Sequence, residues 1–347
     1  MPRPVANPPN PWASAHVEYI DAPPARLKVY EQTAGEILSR NDSPDLPFRY
    51  SLNPYRGCFH ACAYCYARPS HEYLDFGAGT DFERRIVAKT NAAEQLRARF
   101  AKKSWSGELI LFSGNTDCYQ PLEASYGLTR ACLEVCAEHR NPVAIITKGA
   151  LVARDVDVLA QLAREAHAHV YLSIPFVDAA MARAIEPSAP SPRTRFDAMR
   201  ALHEAGVSVG VSVSPIIPGL NDDQIVAVLE RAVECGARNA FRTLLRLPGP
   251  VEGIFVERLE TALPLRASKV INAIREMRGG AMTEARFGRR MAGQGQRWAA
   301  IAALFDATCR RLGIDGREVA YDGADSGVPR TFRRPPQPGD QLGLFGF

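Results

Sequence analysis

The chain has 347 residues, of which 46% are hydrophobic and 23% charged, a composition that supports a sizeable core and excludes a disordered or fibrous protein. Its 42 basic and 38 acidic residues leave a net charge of +4, which permits contact with nucleic acid but does not require it. No apolar run approaches membrane-spanning length, and the proline-rich start MPRPVANPPNPWASAH has no signal-peptide core, so the expectation is a cytoplasmic protein without membrane contact. In a reducing compartment the eight cysteines read as metal ligands, catalytic thiols or buried apolar groups rather than as a disulfide framework.

Residues 1–45 are rich in Pro and Ala and predict an extended N-terminal arm, partly ordered where EYIDAPPARLKVYEQ lies against the body. FRYSLNPYRG then predicts a strand entering a loop. Val- and Ile-rich runs follow at ELILFSG (108–114), PVAIITKG (142–149), HVYLSIPF (169–176), VSVGVSVSPIIPG (207–219) and ARNAFRTLLRLPG (237–249), as buried strands require. Between them LEASYGLTRACLEVCAEH, ARDVDVLAQLAREA, RTRFDAMRALHEAG and NDDQIVAVLERAVECG repeat apolar residues at three- and four-residue spacing, and two of these helices close on Gly206 and Gly236. Strand–helix alternation over residues 46–250 predicts a parallel α/β sheet or barrel whose chemistry sits at the strand C-termini. Residues 251–321 predict a helical C-terminal extension, and the Pro/Gly/Arg-rich 322–347 a flexible tail.

The loop after the first strand reads RGCFHACAYCYARPSHEYLDF and spaces Cys58, Cys62 and Cys65 as Cys-x3-Cys-x2-Cys. Thiolates are soft ligands suited to iron–sulfur clusters or zinc. A closed four-iron cluster takes four cysteines, so three leave one iron open to a further ligand. Zinc, with His60 or His71 as fourth ligand, is the alternative; zinc sites usually come as two separated pairs, and no second pair appears.

The Cys-x3-Cys-x-aromatic-Cys pattern, with Tyr64 at the aromatic position, resembles the radical S-adenosylmethionine (SAM) superfamily. From about Arg49 to Leu247, the stretches LFSGNTDCYQPLE, IITKG, YLSIPF, AIEPSAPSPRTRFDAMRALHEAGV and SVSPIIPGLND resemble its spore photoproduct lyase and DNA repair photolyase-like subgroup. The resemblance implies a partial (β/α)6 TIM-like barrel and a [4Fe–4S] cluster held by Cys58, Cys62 and Cys65. It further implies SAM chelating the fourth iron, reductive cleavage of SAM to a 5′-deoxyadenosyl radical, and a flavodoxin- or ferredoxin-like electron donor. For SAM it implies contacts at Ser113, Gly114, Thr116 and Asp117 (amino group), at Lys148 and Arg195, with Arg193 able to exchange roles (carboxylate), and at Ser173 and Glu186 (ribose). SVSPIIPGLND would line the adenine. Cys118 is a candidate hydrogen donor; spore photoproduct lyase carries its donor cysteine where this chain has Gly114.

The implied substrate is a DNA lesion, laid on a mouth rich in aromatics (Tyr64, Tyr66, Tyr73, Phe76, Tyr119). RNA or peptide modification is the alternative within the enzyme class, and a zinc-stabilised DNA-associated binding protein the alternative outside it. Near the C-terminus Gln341, Leu342, Leu344 and Phe345, with Gly343 between the leucines, resemble the pentapeptide by which bacterial proteins bind the sliding clamp.

Overall fold

A computed structural model describes residues 27–46, 48–318 and 328–335. Its strands are β1 (Lys28–Gln32), β2 (Leu38–Arg40), β3 (Tyr50–Leu52), β4 (Tyr55–Arg56), β5 (Arg85–Lys89), β6 (Ile110–Phe112), β7 (Val143–Thr147), β8 (Ala168–Ser173), β9 (Ser208–Ile216), β10 (Asn239–Leu244) and β11 (Asp315–Glu318). The main sheet has eight strands in the order β11-β10-β9-β8-β7-β6-β3-β2. From β3 through β6 to β11 every pairing is parallel, and only β2 runs against its neighbour. The six strands β3 and β6–β10 are the predicted partial barrel, and no pairing closes β10 onto β3.

Parallel strands need crossovers, and helices supply them. Leu128–Glu138 leads from β6 to β7, Val156–Glu165 from β7 to β8, Pro192–Glu204 from β8 to β9, and Ile225–Glu234 from β9 to β10. Ser191 starts one of them by accepting from the Thr194 amide with Pro192 in the first turn, where a missing N–H costs nothing. Ile110, Phe112, Val143, Ile145, Val170, Leu172, Val211 and Val213, in register on one face of the sheet, fill the main core. A second core under the C-terminal helices Val251–Ala262 and Pro264–Met277 includes Phe255 and Ile274, and it also takes in Cys62 and Tyr64. The cysteine loop is thereby packed against the extension.

Within the predicted arm, KVYEQ lies on the body as β1, the edge of a small second sheet, β1-β5-β4, pairing in parallel with β5. Toward the C-terminus the structure departs from expectation. The extension is not wholly helical: after Gly295–Leu312 the chain adds β11 to β10. Part of the predicted flexible tail lies on the body. Arg333 donates its amide to the His139 carbonyl (2.8 Å), Thr331 its hydroxyl to Arg140 (2.8 Å), and Phe332 meets Phe100 edge-on at 5.3 Å. Gln341, Leu342, Leu344 and Phe345 lie outside the described residues.

Candidate radical SAM site

The cysteine loop leaves β4 at Gly57, whose φ is +76°. A Cβ there would stand 2.8 Å from the Phe82 carbonyl and 2.9 Å from His71, so only glycine makes this turn. Cys58 then donates its amide to that same carbonyl (2.9 Å). Arg68, fully buried, grips the loop from within. Its guanidinium donates to the Cys62 carbonyl at 2.9 and 3.1 Å, to Ala78 and Gly79 at 3.0 and 3.1 Å, and to Glu83. Gln120 bridges the loop to the neighbouring strand end: its amide donates to the Gly57 carbonyl and its carbonyl accepts from the Phe59 amide, both at 3.1 Å.

Cys58 and Cys62 are buried, and Cys65 is half-buried. Burial pushes the Cys58 thiol well up, helped by the Asp117 charge and then by the other two thiols. Burial raises Cys62 to about 12 although Lys148 pulls it back, and raises Cys65 against the Arg68 charge. Three thiols that oppose one another's ionisation need a cation to become thiolates. Among the described residues no three His, Cys, Asp or Glu side chains surround a single ion position. Of His60 and His71, the alternative zinc ligands, His60 Nδ1 lies 3.3 Å from Asp117 without hydrogen-bond geometry, and His71 Nε2 is 2.8 Å from the Arg85 carbonyl while its Nδ1 is buried without a hydrogen-bond partner.

The strand ends bring most of the expected SAM residues into two linked networks. In the first, Tyr64 donates its hydroxyl to Glu186, which also pairs with Arg195. Lys148 Nζ donates to Ser173 Oγ (3.0 Å), stands 4.0 Å from Glu186, and lies 5.5 Å from the Tyr64 ring centroid. Ser173 Oγ donates in turn to the Ser214 carbonyl (3.2 Å). Burial alone would raise the Glu186 pKa; Arg195, Lys148 and the Tyr64 bond outweigh it and hold the carboxyl below its usual range. Arg195, expected at the SAM carboxylate, is turned inward. It spends Nε on Pro190 (2.9 Å), Nη1 on Ser173 (2.8 Å) and Nη2 on Glu186, and it is fully buried. Lys148 is the cation left facing the thiols. Arg193 stands apart, 84% exposed beside Asp197, because it occupies the outer face of helix Pro192–Glu204.

In the second network Asp117 is likewise committed to protein donors. Oδ1 accepts from Thr147 (2.5 Å) and the Tyr119 amide (3.0 Å); Oδ2 accepts from the Lys148 amide (2.8 Å) and faces His60. Burial would raise this carboxyl, but the His60 charge and these bonds hold it well below the usual range. Asn53 Oδ1 holds the same loop through the amides of Asn115 (2.8 Å) and Thr116 (3.1 Å). Ser113, at φ +75°, accepts from the Cys118 amide (2.9 Å), and the Gly114 carbonyl accepts from Tyr66 (2.9 Å). Thr116 Oγ1 and Ser214 Oγ are buried without a hydrogen-bond partner. Thr116 follows β6 and Ser214 lies near the end of β9, with β7 and β8 between them in the sheet, and each orphaned hydroxyl has hydrogen-bonding capacity left for a polar ligand.

Cys118 does not sit as a hydrogen donor at the mouth; it is fully buried in the main core. At Gly114 a Cβ would lie 2.9 Å from Ser51 Cβ, so a cysteine there would displace β3. Of the expected aromatic rim, Tyr66 and Tyr73 are exposed, whereas Tyr119 is buried and donates to Asp155 (3.1 Å). Sequence reasoning missed Arg68, Asn53, Gln120 and His60 as supports; Asn53, Gln120 and His60 act on residues about 60 positions along the chain, and Arg68 acts through backbone carbonyls, so no local spacing marks them. A groove of about 730 Å³ between the two C-terminal helices, lined by Glu252, Val256, Ile271, Arg275 and Met282, involves none of these residues.

A parallel, partly closed α/β barrel with a buried thiol trio at its C-terminal mouth defines a thiolate-cluster protein of the SAM-cleaving kind. The Radical SAM superfamily model matches residues 52–232, and the chain belongs to that superfamily. Its cofactors are those of the family, a [4Fe–4S] cluster and SAM. An uncharacterised protein of Mycobacterium tuberculosis (strain ATCC 25618 / H37Rv) is 38% identical over 226 residues, covering 65% of this chain and 66% of that one. An uncharacterised Methanocaldococcus jannaschii protein is 32% identical over 178 residues, 51% of this chain and 64% of that one. The matches thus span a little under two thirds of these relatives' lengths. Spore photoproduct lyase complexed with dinucleoside spore photoproduct superposes with a TM-score of 0.60 over 84% of this chain and 82% of that one, at 12% identity, a likeness of fold. No helix among the described residues is long and apolar enough to cross a membrane.

Proposed function

We propose that Cys58, Cys62 and Cys65 hold the cluster, that SAM lies against the Thr116, Lys148 and Ser214 side, and that the substrate is a lesion or modified base in DNA. The observation that carries the assignment is the thiol trio beside Lys148, whose ammonium is held by Ser173 and stands 4.0 Å from Glu186. Bound there, the cluster and SAM supply a reductively generated 5′-deoxyadenosyl radical for hydrogen abstraction. Lys148 holds a carboxylate by charge, steadied by Ser173 and the Tyr64 face. Arg195 and Glu186 are positioning residues that fix Tyr64 beside the cysteines. Asp117 fastens the loops after β6 and β7 together.

The fold shared with a lyase complexed with a dinucleoside spore photoproduct is the ground for choosing DNA. A course distinct from that lyase's follows from Gly114, which leaves no room for a donor cysteine. As partners we propose a flavodoxin- or ferredoxin-like reductant and, through Gln341, Leu342, Leu344 and Phe345, a sliding clamp; deletion of 341–347 then abolishes clamp binding.

The test is anaerobic purification with iron, sulfide and zinc analysis, then reductive SAM cleavage. Iron and labile sulfide near four per chain, with 5′-deoxyadenosine formation lost on Cys58→Ala, Cys62→Ala or Cys65→Ala, is expected. One zinc without sulfide, or cleavage that survives these substitutions, overturns the assignment. Deuterium passing from lesion-bearing DNA into 5′-deoxyadenosine supports the substrate; transfer from RNA or peptide alone refutes it.

A further inference from the structure

Arg246 follows β10, at the same end of the barrel as the thiols. Its guanidinium carbon lies 6.0 Å from the centroid of the exposed Tyr66 ring, the residue next to Cys65. No carboxylate pairs with this guanidinium among the described residues; its recorded polar contact is the Met291 sulfur at 3.9 Å. Half-buried and beside the Arg290 charge, it has its pKa pushed down by burial first and by that neighbour second. The carboxylate that acts on it, Asp45, is already spent. Asp45 accepts from the Gly288 amide (2.6 Å) and from Arg290 Nε (2.5 Å).

The surroundings are built rather than loose. Arg278 donates to the carbonyls of Leu245 (2.8 Å), Arg290 (3.0 Å), Ala292 (2.8 Å) and Arg289 (3.3 Å), and Leu244 donates to Met291 (2.9 Å). The arginine-bearing segment 286–292 is thereby clamped to the end of β10. Ser43 and Asp45, from the β2–β3 connection, hold its other side through Arg290. Arg290 lies 4.3 Å from the ring centroid of Phe287, which is exposed. A cation kept unpaired, rigid and next to another cation is stabilised only when an anion arrives, and a guanidinium suits the paired oxygens of a phosphate. Exposed rings beside arginines are the pattern that stacks bases while the backbone phosphate is held.

We propose that Arg246 binds a backbone phosphate of a single-stranded nucleic acid at the barrel mouth, with the Tyr66 and Phe287 faces taking adjacent bases. This rests on the nucleic-acid reading of the substrate given above. The test uses the anaerobically purified full-length protein and a fluorescein-labelled oligothymidylate, read by anisotropy across a salt series. Arg246→Gln is expected to weaken binding by about 10-fold to 100-fold and to flatten the salt dependence by about one phosphate contact. Arg246→Lys, which keeps the charge, recovers part of the affinity, and Phe287→Ala weakens binding without changing the salt slope. Unchanged affinity in Arg246→Gln overturns the proposal, as does a wild-type protein that prefers poly-glutamate to the oligonucleotide. Wild-type protein that binds the oligonucleotide through Arg246 but never cleaves SAM supports this site and sinks the radical reading. Wild-type protein that cleaves SAM and ignores the oligonucleotide does the reverse.

Discussion

Replacing Arg68 by Met tests whether the cysteine loop is held from inside. The substitution removes a fully buried guanidinium and five hydrogen bonds, two of them to the Cys62 carbonyl. It also strands Glu83, which is 5% exposed, without its counter-charge. Breaking a buried pair by removing one member costs about 3–5 kcal/mol, and the loss of donors to buried carbonyls adds about 1–3 kcal/mol per group left unpaired. Relaxation of the loop and entry of water reduce the sum, so a loss of about 4 kcal/mol is expected in denaturant unfolding of the apo protein. Reconstituted iron should fall with it, because the Cys62 backbone is no longer fixed. The double variant Arg68→Met with Glu83→Leu should recover much of the stability, since no charge is left buried, but not the iron content. A single variant within about 1 kcal/mol of wild type, or a double variant that regains full iron loading, would refute the reasoning.

Two further expectations concern β8 and the turn before Cys58. His169, with Nδ1 2.8 Å from Ser208 Oγ and its ring 4.3 Å from that of Tyr171, has a pKa lowered from 6.5 to about 4, by burial and then by the His167 charge. The unfolded chain therefore takes up this proton first as pH falls below 6.5, and stability drops by up to about 3 kcal/mol by pH 4. His169→Asn should flatten that limb of the stability curve, and curves parallel to wild type would count against it. Gly57→Ala meets both a positive φ and the Phe82 carbonyl, and is expected to cost at least about 2 kcal/mol and lower iron loading; wild-type values in both measurements would show that the turn is not constrained.

The strands that the sequence disclosed are those with at least one buried, largely apolar face. β6 to β10 each carry Val, Ile, Leu or Phe without a break long enough to hide them. β11, reading DGRE, has no apolar signature, because it is an edge strand fixed by pairing with β10 rather than by its own composition. β1, reading KVYEQ, is likewise an exposed edge strand, whereas β5, reading RIVAK, is the buried centre of the small sheet, and its three apolar residues are too short a run to mark a strand. In the site, residues set by spacing were legible: the three cysteines, and Tyr64 between them. What spacing does not encode is the direction of a side chain. Arg193 and Arg195 are two residues apart on one helix, and the turn of the helix sends one to solvent and the other into the Glu186 network. Asp117 and Arg195 carry the charges a ligand would want, yet their neighbours consume every polar atom. Such saturation depends on contacts from other strands and is visible only in three dimensions.

The segment 328–335 has a geometric consequence for anything attached beyond it. It rests on residues 139–140 and on Phe100, and a Cβ at Gly107 would stand 2.2 Å from Phe332. Residues 107 and 139–140 precede β6 and β7, so this contact lies beneath the barrel, at the end away from the thiols. Pro335, the last described residue, is therefore carried at the back of the molecule. The thiols and the segment 328–335 thus occupy opposite ends of the barrel, so a contact made at one leaves the other open.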